Sequence, residues 1–164
     1  MFELGKALKN ANFDLGWERE PGLSLQFPTD KHDYHAIAKY ICRNEGVKTK
    51  AYPDSGGHSI GCGGAAKGRS YMSAQQAYWT AYREAERLGA LIENIYGPVS
   101  PKRMKGLIDY TYNTPNTQPA LTNPKMIEAI KSGNRKFVAD YMFEYNAFLP
   151  GHFPRREDNL RLIF

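Results

Sequence analysis

Residues 43–64 read "RNEGVKTKAYPDSGGHSIGCGG". The stretch sets one acid, Glu45, at the end of an apolar-periodic segment, then a second acid, Asp54, and a hydroxyl, Ser59, on either side of Gly56-Gly57. Just upstream, "TDKHDYHAIAKYICRNEG" places Tyr34, Ile37, Ala38, Ile41 and Cys42 at i, i+3, i+4, i+7 and i+8, after the capping candidates Thr29, Asp30 and Asp33. This predicts an amphipathic helix that stops near Gly46. Glu45 continues the stripe at i+4 from Ile41 and i+3 from Cys42, so its carboxylate projects at the edge of the core. Partial desolvation there is the setting in which a carboxyl serves as a general acid near neutral pH. A solvated glutamate at a fraying helix end is the bland alternative.

The segment "KAYPDSGGHSIGCGG" is too rich in Gly and Pro for a helix and reads as a hairpin. With Gly56-Gly57 as a two-residue turn, Ser55 faces His58 and Asp54 faces Ser59. Directly opposed Cβ atoms lie about 5 Å apart, close enough for Asp54 and Ser59 to hold one water between them. Asp before Gly is also ordinary turn chemistry. A Ser-His-Asp triad is disfavoured because consecutive strand residues such as His58 and Ser59 point to opposite faces and no G-x-S-x-G elbow is present. His32 and His35 are spaced for a weak metal site, but exposed histidines at a helix start are the preferred reading.

Outward from this segment, residues 1–30 form an N-terminal extension ending in "EREPGLSLQFPTD", and residues 31–164 form the domain. "SAQQAYWTAYREAERLGALIENIYG" starts at the cap Ser73, aligns Ala77, Ala81, Ala85, Leu88 and Ile92 on one face, and ends at Gly97-Pro98. It spans about 30 Å, enough to link two lobes. "SPKRMKGLIDYTYN" and "TNPKMIEAIKSGN" each place a capping Ser or Asn before Pro, the favoured first helical residue. "NRKFVADYMFEYN" and "PRREDNLRLIF" complete a helix-rich second half. The fold class is therefore α+β, a small hairpin lobe followed by a mainly helical lobe.

The chain has 164 residues, suited to one globular unit, and its 13% aromatic content argues against disorder by supplying buriable area. A formal charge of +5 favours a polyanionic partner. The clusters "PKRMK" and "PRR" are short and interleaved with apolar residues, so they read as solvated helix faces, and no zinc-finger or RNA-binding signature accompanies them. No uninterrupted apolar region marks an export signal or a membrane span. Cys42 and Cys62 lack a CxxC pairing and do not suggest zinc; two small buried thiols are the preferred reading, one bridge between helix and hairpin the alternative.

The segment "NEGVKTKAYPDSGGHSIGCGG" resembles the catalytic segment of the phage-type lysozymes, the endolysin family of peptidoglycan muramidases. It shares an E-G at a helix end, a basic residue, a Tyr, an Asp, a glycine turn, a hydroxyl residue and I-G-x-G. Farther on, "MKGLIDYTYN", "ALTNPKMIEAIKSGN" and "PRREDNLRLIF" resemble later helices of the family in the same order, so the likeness covers about residues 33 to 164. It implies a lysozyme-like fold with a cleft between two lobes, and hydrolysis of the β-1,4 bond between N-acetylmuramic acid and N-acetylglucosamine. By position, Glu45 would protonate the leaving oxygen, while Asp54 and Ser59 would hold the attacking water on the opposite face. Tyr52 and Asn113 would line the sugar groove, and one arginine of Arg155-Arg156 would approach Glu45; a solvent-facing arginine pair is the alternative.

The resemblance implies no cofactor and no metal. Its expected partner is peptidoglycan, with no nucleic acid, no stable membrane insertion and a monomeric chain. Made without its own signal, the protein would reach the wall through a holin or with a virion. Two features depart from the family pattern: Ser59 stands where Thr is usual, after a loop one residue shorter, and Cys62 and Gly64 replace an aromatic residue and a His that brace the hairpin. A lytic transglycosylase and a catalytically weakened wall-binding or virion structural protein are the rival expectations.

Overall fold

Asp33 opens helix α1 (Tyr34–Glu45), its side chain accepting the Ala36 amide at 2.9 Å and so satisfying one of the orphan donors of the first turn. The computed structural model describes residues 32–54, 57–145 and 150–164, and the expected extension over residues 1–30 lies outside them. Ile37, Ala38, Ile41 and Cys42 are buried along α1, and Gly46 ends it at φ +70°, a backbone conformation that favours glycine.

Strands β1 (Lys48–Asp54), β2 (Gly57–Gly61) and β3 (Gly64–Ala65) form an antiparallel sheet in that order, one strand more than the hairpin expected. The third strand arises because Gly61 and Gly63, at φ +69° and +80°, turn the chain back so that Ile60 pairs with Gly64 and Ser59 with Ala65. The register of β1 on β2 also differs from expectation. Asp54 pairs with Gly57, Pro53 with His58 and Tyr52 with Ser59, so Ser59 is not directly opposite Asp54, and Ser55 and Gly56 lie outside the described residues. Turn chemistry alone did not set this register; an irregularity between Lys48 and Tyr52 and the burial of Ser59, Ile60 and Gly61 also constrain it.

Cys42 and Cys62 form a disulfide, with Cα atoms 4.9 Å apart, which corrects the preferred reading of two thiols. The bridge joins α1 to the residue after β2, within the "GCGG" stretch that departs from the family pattern. It closes a separation of 20 residues, a loop for which chain entropy alone stabilises the folded state by about 3 kcal/mol.

Helix α2 (Ala74–Tyr96) starts from a reciprocal cap: Gln76 N donates to Ser73 Oγ at 3.1 Å while Ser73 N donates to Gln76 Oε1 at 2.9 Å. Helices α3 (Pro101–Tyr112), α4 (Pro119–Thr122), α5 (Pro124–Ser132), α6 (Arg135–Tyr145) and α7 (Phe153–Ile163) follow, with a 3₁₀ turn at Pro150–His152. Ser100 caps α3 and Asn123 caps α5, each just before its proline. The four-residue α4 has no counterpart in the periodicity reading, being too short to show a period. Among the described residues, no helix is long and apolar enough to cross a membrane.

The chain divides into two compact units, one ending at Ala85 and one running from Glu86 to Phe164. In the first, Ile37, Ile41, Ile60, Ala77, Tyr78 and Ala81 are buried; in the second, Leu88, Ile92, Met104, Leu107, Ile130 and Ile163 are. Within the second unit Gly106 permits a close approach of backbones, since a Cβ added there would stand 2.6 Å from Leu162 Cβ and 3.1 Å from Ile163 N.

Candidate active site

The pairing of Tyr52 with Ser59 puts Tyr52, Asp54 and Ser59 on one face of the sheet, because residues two apart on a strand share a face. Asp54 is then the diagonal neighbour of Ser59, and Ser59 Oγ donates to Asp54 Oδ2 at 2.8 Å. The two side chains thus meet directly. A register shift of two preserves the face, which is why the two side chains meet although their pairing differs from that expected. Ser59 is buried and Asp54 exposed, so an interior hydroxyl orients a carboxylate that stays open to solvent. His58, the next residue, is exposed.

Tyr52 ties this pair to the acid on α1. Burial pushes its phenol above the usual tyrosine range, the charge of Asp54 and then that of Glu45 raise it further, and a side-chain hydrogen bond with Ser59 acts in the opposite direction. One hydroxyl thus senses both carboxylates and the serine. Glu45, the last residue of α1, is half-buried, and its carboxyl lies against Gly63: a Cβ placed on that glycine would fall 2.8 Å from Oε2 and 3.0 Å from Cδ. Glu45, Tyr52, Asp54 and Ser59 therefore gather within the first unit. Gly63 was missed at the sequence level, although its place in "GCGG" after a predicted strand was a usable signal.

The two helix-start histidines are not exposed. His32 is buried, and His35 is half-buried, sharing a 2.6 Å hydrogen bond between Nδ1 and the Tyr78 hydroxyl, with its ring 4.6 Å from that of Tyr82. The tyrosines of α2 supply this aromatic setting, which lies too far along the chain for helix periodicity to predict. Among the described residues, no group of three or more His, Cys, Asp and Glu side chains is placed to hold a metal ion.

In the second unit, Asn113, Arg155 and Arg156 join a buried polar network. Arg155 makes a two-pronged contact with Asp109, Nε to Oδ2 at 3.0 Å and Nη2 to Oδ1 at 2.7 Å, and Asn159 Nδ2 donates to the same carboxylate at 2.7 Å. Arg156 is only 1% exposed; it donates to Asn113 Oδ1 at 2.6 Å and to Asn159 Oδ1 at 3.3 Å and lies over the Tyr110 ring. The "PRR" cluster is thus not a solvated face, and the solvent-facing alternative for the arginine pair is corrected. In "PKRMK", Lys102 is exposed while Arg103 is half-buried and reaches the Ile130 carbonyl. Asp109, fully buried, escaped the sequence reading; an acid between Ile108 and Tyr110 on an apolar helix was the signal available.

The same arrangement of small sheet and helices recurs in solved structures. The muramidase domain of SpmX from Asticaccaulis excentricus superposes with a TM-score of 0.64 at 18% identity, covering 81% of this chain and 98% of that one. The fold is lysozyme-like. An endolysin from Escherichia coli O157:H7 phage FAHEc1 superposes with a TM-score of 0.60 at 21% identity, covering 86% of this chain and 95% of that one. No protein-family profile matches the sequence, and no curated protein does. The lysozyme-like likeness is thus carried by tertiary structure.

Proposed function

We propose that this protein is a peptidoglycan hydrolase that cleaves the β-1,4 bond between N-acetylmuramic acid and N-acetylglucosamine. The observation that carries the reading is the grouping in the first unit, where Ser59 Oγ donates to Asp54 Oδ2 at 2.8 Å, Tyr52 shares their face of the sheet, and the Glu45 carboxyl lies against Gly63 just beyond β2. A pair of carboxyl groups, one an acid and the other serving the water or the nucleophile, is what glycoside hydrolysis needs. Glu45 is the general acid for the leaving oxygen. Asp54, held by the Ser59 hydroxyl, orients and activates the water, and Tyr52 lines the sugar site. That the neighbouring folds are a muramidase domain and a phage endolysin supports the same substrate class.

The net charge of +5 concentrates the enzyme on an anionic wall. Delivery through a holin, or with a virion, brings it there. The test is muropeptide release from purified sacculi by the wild-type chain and by Glu45→Gln. We expect reducing-end muropeptides from the wild type and a loss of roughly a hundredfold or more in the variant with folding retained, the usual scale for a general acid. Products with 1,6-anhydro ends would instead identify a transglycosylase, and equal release by the variant would remove Glu45 from the chemistry. Binding without release by the wild type would leave a wall-binding protein.

A further inference from the structure

Glu45 occupies a position that is intrinsically loose. It is the last residue of α1, and the last turn of a helix frays because its carbonyls lack partners within the helix. Two features oppose that looseness at one place. Cys42, one turn before Glu45, is bonded to Cys62, and Gly63, the residue after Cys62, meets the Glu45 carboxyl with bare backbone. The covalent link and the contact are thus adjacent in sequence on the sheet side and one turn apart on the helix side. Both cysteines are buried, at 2% and 3% exposure, which shields the formed bridge from casual exchange.

We infer that the Cys42–Cys62 bridge and Gly63 are positioning residues for Glu45, so that turnover, and not only stability, follows the oxidation state of the two cysteines. This rests on the hydrolase reading above. Reduction adds two electrons and two protons to the bridge and returns two thiols; a dithiol supplies them and is itself oxidised to a disulfide. With the bridge open, the turn after β2 keeps its pairing to β3 but loses its covalent tie to α1, and the Gly63 backbone no longer has a fixed distance to the acid. A shift of about 1 Å in a catalytic group costs on the order of a hundredfold in rate. The chain is therefore slow in a reducing compartment, where such bridges do not persist, and reaches full turnover once oxidised.

The experiment measures kcat and KM on soluble peptidoglycan fragments for the oxidised wild type, for Cys42→Ala/Cys62→Ala and for Gly63→Ala, with near-ultraviolet circular dichroism reporting the fold. We expect both variants to lose tenfold or more in kcat with KM within twofold, and wild type reduced by a dithiol to regain its rate on reoxidation. A folded double variant with kcat within twofold of wild type overturns the inference. If the double variant is unfolded at the assay temperature, Gly63→Ala decides, since it keeps the bridge: unchanged kcat overturns the inference and a selective loss of kcat supports it. An oxidised wild type that cleaves nothing refutes the hydrolase reading instead, so the two failures are distinct.

Discussion

Ser59 donates its hydroxyl to Asp54 at 2.8 Å across a diagonal of the sheet, from a buried position to an exposed one. Removing the donor leaves an exposed carboxylate that water can solvate, so Ser59→Ala costs little stability, about 1 kcal/mol or less. The proposed role predicts a different scale for catalysis. Muropeptide release by Ser59→Ala falls at least tenfold with the melting temperature nearly unchanged, and Ser59→Thr, which keeps the hydroxyl, retains most of the rate. Equal rates in the wild type and the alanine variant would remove Ser59 from the site.

Tyr52 provides a reading of the same cluster that needs no substrate. Burial and the charges of Asp54 and Glu45 hold its phenol above the usual value, and Ser59 opposes them. Asp54→Asn and Glu45→Gln therefore each lower the Tyr52 pKa, and Ser59→Ala raises it. Phenolate absorbance in an alkaline titration, with Tyr52→Phe subtracted to isolate this residue, gives the values.

The same shift makes a stability prediction with a definite sign. A phenol whose folded pKa exceeds its unfolded pKa binds its proton more tightly in the folded state, so its contribution is complete below the unfolded value, about 10, and is lost as pH rises towards the folded one. Tyr52→Phe removes that term. Denaturant unfolding above about pH 10 should show a shallower loss of stability in the variant than in the wild type.

Asp109 is the second unit's most consequential charge, being fully buried and bound by Arg155 and Asn159. Asp109→Ala leaves a half-buried guanidinium and a buried amide without their acceptor, and we expect a loss of about 3–5 kcal/mol. A double-mutant cycle with Arg155→Ala, followed by urea unfolding, separates the pair's coupling from the cost of the orphaned group.

Gly106 and Gly133 make a matched comparison of two reasons for glycine. At Gly106 a methyl would strike Leu162 Cβ at 2.6 Å, and overpacking of this kind costs about 1–3 kcal/mol. Gly133 faces open space but sits at φ +76°, where the penalty for a side chain is backbone strain of about 1 kcal/mol. Thermal unfolding of the two alanine variants should rank Gly106→Ala as the more destabilised.

What could be read along the chain was set by neighbours three and four residues apart. The Asp33, Ser73, Ser100 and Asn123 caps, the α1 stripe ending in Glu45, and the stop glycines at 46 and 133 are all local, because a helix satisfies its own backbone and declares its buried face by periodicity. The meeting of Asp54 and Ser59 was legible for the same reason, since strand alternation survives a register shift of two.

The rest depended on partners brought together only by folding. The bonding of Cys42 to Cys62 crosses 20 residues, and the contact of Arg155 with Asp109 crosses 46. No short-range pattern distinguishes a cysteine that packs as a thiol from one that meets a second cysteine. Likewise, nothing local distinguishes an arginine in water from one drawn inward by a buried carboxylate. Tertiary packing decided those outcomes, and it also made "GCGG", a stretch missing its bracing side chains, the place where a disulfide reaches α1 and bare backbone meets the Glu45 carboxyl.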